Sequence, residues 1–91
     1  MANVVVTLRI MPELPDTDLA VLEKQATDKI SSFGGEVGKT EITPVAFGLN
    51  SLNLYFVMDE AKGSTEPLEK DVESLKGVNS VEVTDVRRAI G

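Results

Sequence analysis

Between Asn3 and Met11 the chain alternates: Val4, Val6, Leu8 and Ile10 fall on one side of an extended backbone, and Val5, Thr7, Arg9 and Met11 on the other. That period of two predicts a strand. Pro12 has no N–H for a sheet ladder and Pro15 fixes its own φ, so the stretch from Met11 to Pro15 predicts a loop leaving the sheet. A helix follows, with Leu19, Leu22, Ala26, Ile30 and Phe33 recurring every three or four residues, Asp16 or Thr17 as its cap, Asp18 in its first turn and Gly34-Gly35 as its stop. Glu36 to Phe47 predicts a second strand of weaker pattern. Ile42 and Val45 differ in parity and Pro44 interrupts the ladder between them, so a bend or bulge is expected there, on an edge. The turn residues from Phe47 to Ser51 lead into a third strand in which Leu52, Leu54, Phe56 and Met58 alternate with Asn53, Tyr55, Val57 and Asp59; the two strands pair as a hairpin. A polar loop from Asp59 to Ser64 precedes a second helix, capped by Ser64 or Thr65, with a narrow apolar stripe of Leu68, Val72 and Leu75 and a stop at Gly77. From Val78 to Arg88 a fourth strand turns Val81 and Val83 inward. The changed parity of Val86 predicts that it ends or kinks by Asp85.

Strand, helix, strand, strand, helix, strand, with right-handed crossovers in both halves, predicts an α+β ferredoxin-like sandwich: an antiparallel sheet ordered 4-1-3-2 with both helices on one face. At 91 residues the chain holds one core, and residues 1–91 are expected to form a single domain. The second sheet face is then open to water, a ligand or another protein, with Val5, Tyr55 and Val57 on it.

Charge and composition narrow what that face can do. Nine basic against fifteen acidic side chains give a net charge of −6, a field that repels phosphate backbones and anionic lipid. Neither nucleic acid nor a membrane surface is an expected partner. Without Cys there is no disulfide scaffold, thiol nucleophile or thiolate metal site, and without His the commonest general base and zinc ligand are missing. No apolar run approaches the ~20 residues of a membrane span, and no basic region precedes the first apolar stretch. A soluble, intracellular protein is expected, with no metal and no cofactor.

The remaining constellations read as structural. Glu66, Glu69, Asp71 and Glu73 lie on the outer face of the second helix, interleaved with Lys70, as a solvated surface does. Asp59-Glu60 supplies too few oxygen ligands for calcium. Gly63-Ser64-Thr65 lacks the lysine and second glycine of a phosphate loop and reads as a helix cap. RNA recognition needs aromatics and basic residues on the open face, where Tyr55 is the only ring. An acyl-phosphate hydrolase needs an anion-cradling loop after the first strand, and here that loop carries Glu13 and Asp16. Two segments point elsewhere. Pro44-Val45-Ala46-Phe47-Gly48-Leu49 can present an aromatic anchor at a turn, and the acidic chain ends in Thr84-Asp85-Val86-Arg87-Arg88-Ala89-Ile90-Gly91, with paired arginines beside an apolar tip.

Together with Val6-Thr7-Leu8, Met11-Pro12, Asp16 to Leu22, Leu52 to Asp59 and Val81 to Asp85, these segments resemble the guanine nucleotide exchange domain of the elongation factor 1-beta family in its short archaeal form. The resemblance spans nearly the whole chain, and its specific parts are Pro44 to Leu49 and Thr84-Asp85. It implies a cytoplasmic exchange factor, monomeric on its own, that releases GDP from elongation factor 1-alpha so that GTP can enter. The resemblance further implies that it is not an enzyme with bond chemistry of its own. Phe47, with Pro44, Gly48 and Leu49, is implied to dock on the GTPase, and the segment of Thr84, Asp85, Arg87 and Arg88 to approach its nucleotide. The family's eukaryotic members carry a lysine near the carboxy terminus that reaches the GTPase magnesium, whereas this chain has no lysine after Lys76. Arg87 or Arg88 then supplies the cation, or the tail acts by steric displacement alone. The alternative for this architecture is a small-ligand-sensing regulatory domain that dimerises edge to edge.

Overall fold

A computed structural model describes residues 2–88. Its elements are β1 (Asn3–Pro12), α1 (Leu19–Phe33), β2 (Glu36–Pro44), β3 (Asn50–Asp59), a short 3-10 turn (Glu60–Lys62), α2 (Glu66–Glu73) and β4 (Val78–Arg88). The strands form one antiparallel sheet ordered β2-β3-β1-β4, the expected ferredoxin-like order counted from the other edge.

The core lies between the two central strands and the helices. Val4, Val6, Leu8 and Ile10 of β1 and Leu52, Leu54, Phe56 and Met58 of β3 are buried against Leu22, Ala26 and Ile30 of α1 and Leu68 and Val72 of α2. Register explains the clean alternation. Val4 pairs with Met58, Val6 with Phe56, Leu8 with Leu54 and Ile10 with Leu52, so every apolar pair stacks on the helix side. Gly35 lets the chain turn from α1 into β2 across this core, since a Cβ there would stand 2.8 Å from both Ile30 and Phe56.

Several boundaries differ from expectation for local reasons. β1 continues through Pro12, which pairs with Val78 across a register shift after Met11. Neither Asp16 nor Thr17 caps α1. Thr17 closes a turn with Leu14, its N–H donating to the Leu14 carbonyl and its hydroxyl accepting from the Leu14 N–H, and this leaves Asp18 to accept from the N–H groups of Ala20 and Val21. In β2 the irregularity falls at Gly38, where the register shifts between Val37 and Lys39; the strand runs straight to Pro44 and stops there, short of Phe47. Pro44 tolerates that terminal position because it faces no further ladder bond. Helix α2 ends at Glu73, and Leu75 packs against the core from the following turn. Thr65 stands at its N-cap position without a side-chain cap bond, its hydroxyl donating to Glu69, while Ser64, one residue earlier, accepts from the Glu66 N–H.

The largest correction concerns β4, which does not end at Asp85. Thr7 pairs with Asp85 and Leu8 with Val83, so Thr84 is an extra residue in a bulge. The bulge resets the alternation. Val86 joins Val81 and Val83 on the helix side, opposite Val6, and the strand continues to Arg88 opposite Val4.

Candidate functional site

Pro44 pairs with Asn50, and the connecting hairpin loop, residues 45–49, is closed by the Val45 N–H donating to the Leu49 carbonyl at 2.8 Å and the Leu49 N–H donating to the Ala46 carbonyl at 3.1 Å. Closing the loop this way puts two successive residues in the left-handed region, Phe47 at φ 59° and Gly48 at φ 74°. For glycine that is free; for phenylalanine it costs about 1–2 kcal/mol, so the loop holds Phe47 against its own preference. Phe47 is 94% exposed. Burying a side chain of this size is worth about 2–3 kcal/mol, none of which the chain itself collects. Exposed Val45 and Leu14 share this end of the molecule, and Pro15 of the loop after β1 lies 3.9 Å from where a Gly48 Cβ would stand.

The sheet brings Thr84, Asp85 and Arg87 together on the open face, where the Arg87 Nε–H donates to Asp85 Oδ2 at 2.7 Å. Strand alternation sends Arg88 to the other face. Its Nη2 donates to Glu60 Oε1 at 3.0 Å, and this carboxylate holds the guanidinium still more firmly protonated. The two arginines therefore do not form one cationic site. Ala89, Ile90 and Gly91 of the tail lie outside the described residues.

Nor do the hairpin and the end of β4 meet. Asn50 stands at the hairpin and Met58 is level with Val4 and Arg88, eight strand residues apart or ~26 Å at about 3.3 Å each. Arg87 and Arg88 stand at the end of the sheet far from the hairpin, whereas Thr84 and Asp85 lie midway, level with Leu54 and Tyr55, and Thr84 lines one depression with Pro44.

Between them the open face is polar and largely self-bonded. Asn53 Nδ2 donates to Thr43 Oγ1 at 3.1 Å and Ser51 Oγ at 3.3 Å, and the Tyr55 hydroxyl donates to Glu41 Oε1 at 2.7 Å. That bond lowers the Glu41 carboxyl below its ordinary range, helped by Lys39 at 3.6 Å, and raises the Tyr55 phenol. A depression of about 360 Å³ lies here, lined in part by Arg9, Thr43, Pro44, Asn53, Tyr55 and Thr84. Arg9 is absent from the expected site residues, although its place on the outward side of the central strand β1 is legible in the alternation. What alternation does not reveal is that its Nε is sealed from water with no hydrogen-bond acceptor among the described residues.

Fold and surface define a ferredoxin-like domain that presents an apolar hairpin tip, a polar sheet face and a charged strand end to its surroundings. Among the described residues no helix is long and apolar enough to cross a membrane. Residues 5–89 match the EF-1 guanine nucleotide exchange domain, and the chain belongs to that family. It is 44% identical to elongation factor 1-beta of Methanothermobacter thermautotrophicus over 88 residues, covering 97% of this chain and 98% of that protein. It is 47% identical to elongation factor 1-beta of Methanobrevibacter smithii with the same coverage. Among solved structures it is similar to the ACT domain from GTP pyrophosphokinase of Chlorobium tepidum, with TM-score 0.60, 22% identity and coverage of 89% of this chain and 97% of that one. The C-terminal domain of the MgtC protein from Mycobacterium tuberculosis is as similar in fold, with TM-score 0.60, 15% identity and coverage of 98% and 88%. At these identities the two structures share the fold alone.

Proposed function

We infer that this chain, as a single domain spanning residues 1–91, is a guanine nucleotide exchange factor of translation elongation acting in the cytoplasm on elongation factor 1-alpha. The observation that carries the reading is that the family's distinctive hairpin holds Phe47 in a strained backbone conformation and in full contact with solvent. An exposed ring maintained at a conformational cost is suited to docking in a pocket, with Pro44 and Gly48 fixing its approach and Leu49 bracing the loop.

Exchange needs no bond chemistry. A factor that binds the emptied GTPase more tightly than the GDP complex weakens GDP by the same ratio, tenfold for each ~1.4 kcal/mol of preference. The separation of hairpin and strand end along the sheet supports a two-point engagement, with Phe47 gripping at one end and Arg87, beyond Thr84 and Asp85 at mid-sheet, reaching the nucleotide at the other. Each arginine is paired with one carboxylate, Arg87 with Asp85 and Arg88 with Glu60; Arg87 is the better candidate for a cation near the phosphates because it lies on the open face, whereas Arg88 lies on the helix side. A monomer suffices for this action. Both sheet edges are irregular, β2 at Gly38 and Pro44 and β4 at Thr84, and such edges disfavour the edge-to-edge pairing that a ligand-sensing dimer would use.

The test is release of a fluorescent GDP analogue from purified elongation factor 1-alpha. Acceleration by this chain is the expected result, and an unchanged rate at saturating protein overturns the reading.

A further inference from the structure

Of the exposed apolar side chains at the hairpin end of the sheet, Leu14 is the one that the hairpin motif does not account for. It is 60% exposed and takes no part in the core, yet its backbone is fixed. The Glu13 N–H donates to the Gly77 carbonyl at 2.9 Å, which ties the loop after β1 to the turn before β4. The Leu14 N–H donates to Thr17 Oγ1 at 3.2 Å, and the Thr17 N–H donates back to the Leu14 carbonyl at 3.1 Å. Pro15 occupies the second position of that turn, where its ring presets φ. A leucine on a slack loop would lose backbone freedom on docking; here folding has already imposed that loss. The loop also touches the hairpin, since Pro15 Cβ lies 3.9 Å from where a Gly48 Cβ would stand. Leu14-Pro15 and Phe47-Gly48 are therefore neighbouring parts of one surface, and exposed Glu13 and Asp16 flank the leucine as a charged rim around an apolar centre.

We propose that Leu14 is a second apolar anchor for the partner GTPase, covered together with Phe47 when the hairpin docks, so that the loop after β1 and the hairpin form one continuous contact. The assignment rests on the exchange-factor reading above. Continuity selects the occupant: a partner that closes over Phe47 meets the loop packed against Gly48, and Leu14 is the apolar surface that this loop leaves open. Charge disfavours the other occupants of an apolar tip. A second copy would bring another net charge of −6, with its own Glu13 and Asp16, to the same contact, and the same field repels an anionic lipid surface.

Nucleotide-free elongation factor 1-alpha is titrated calorimetrically into the wild-type chain, Leu14→Ala and Val21→Ala, with GDP release and melting temperature measured in parallel. Val21 is an exposed apolar residue of α1 outside the tip. The expected result is binding weakened about tenfold by Leu14→Ala, unchanged by Val21→Ala, and unchanged melting for both. Wild-type affinity in Leu14→Ala, or an equal loss in Val21→Ala, overturns this assignment and leaves the exchange reading standing. A wild-type chain that neither binds nor accelerates release overturns both. Should Leu14→Ala melt early, the Leu14 methyl resonances of the wild-type chain decide: saturation transferred to them from the bound GTPase supports the assignment, and its absence overturns it. Methyl shifts that appear on concentrating the chain alone also overturn it, in favour of a second copy.

Discussion

One sheet presents two faces built by different rules. On the helix side β1 and β3 match apolar residue with apolar residue, and eight of their side chains are buried with α1 and α2 above them. On the open side the same strands carry Thr7, Arg9, Asn53 and Tyr55, of which Asn53 and Tyr55 are held by bonds to Thr43 and Glu41 of β2. The first face supplies the hydrophobic free energy of folding. The second is rigid because the first is, so its groups keep fixed spacing with little packing of their own. A residue's effect should therefore fall on stability or on partner binding according to its side of the sheet.

Phe56→Ala should break the helix side most severely. Phe56 is fully buried, and its loss should destabilise the chain by about 3–5 kcal/mol in urea unfolding; a loss under about 1 kcal/mol would mean that the core is not where the burial places it. Phe47→Ala should do the reverse, weakening partner binding by about 2–4 kcal/mol while leaving stability within about 0.5 kcal/mol. A stability change equal to the binding change would erase the contrast. Arg87→Ala should slow exchange about tenfold and Arg88→Ala much less, because the two point to opposite faces; equal effects in GDP release would defeat the assignment by face. Asp18→Ala should cost about 1 kcal/mol of stability by removing the α1 cap, whereas Thr17→Val should leave the helix capped.

The smallest effect is a matter of pH. The lowered Glu41 carboxyl contributes stability that is present above the ordinary carboxyl range and is lost as pH falls through its lowered value. The raised Tyr55 phenol contributes stability that is present below the ordinary tyrosine range and is lost as pH rises through its raised value. In Tyr55→Phe the Glu41 carbon resonance should titrate closer to the ordinary range, with melting at neutral pH unchanged. No movement of that titration would show that Lys39 alone sets it.

Much of this contrast was legible in the chain because strand alternation and helical spacing are both one-dimensional signals. Val4 to Ile10 and Leu52 to Met58 announce their side of the sheet, and Leu22, Ala26 and Ile30 their side of the helix. Bulges are the exception, since an extra residue shows itself only against its partner strand. The parity change at Val86 is visible in sequence, but only the pairing of Thr7 with Asp85 and Leu8 with Val83 distinguishes a reset alternation from a strand end. The bulge at Gly38 leaves a still fainter trace, because β2 is exposed along most of its length and has little apolar pattern to disrupt. Asp16, Thr17 and Asp18 are all able caps, and the turn to Leu14 selects among them. At the candidate site the hairpin motif was readable, whereas the separation of Phe47 from Arg88 and the isolation of Arg9 depend on which strands are neighbours.

A stiff sheet with one contact at each end behaves as a gauge. Its ~26 Å between hairpin and strand end is set by the extended covalent backbone of β3, which the flanking strands keep extended, so a protein whose two matching points move apart or together can satisfy both ends in only one of its shapes. Such a gauge discriminates between conformations through length, even where each contact taken singly is indifferent to them.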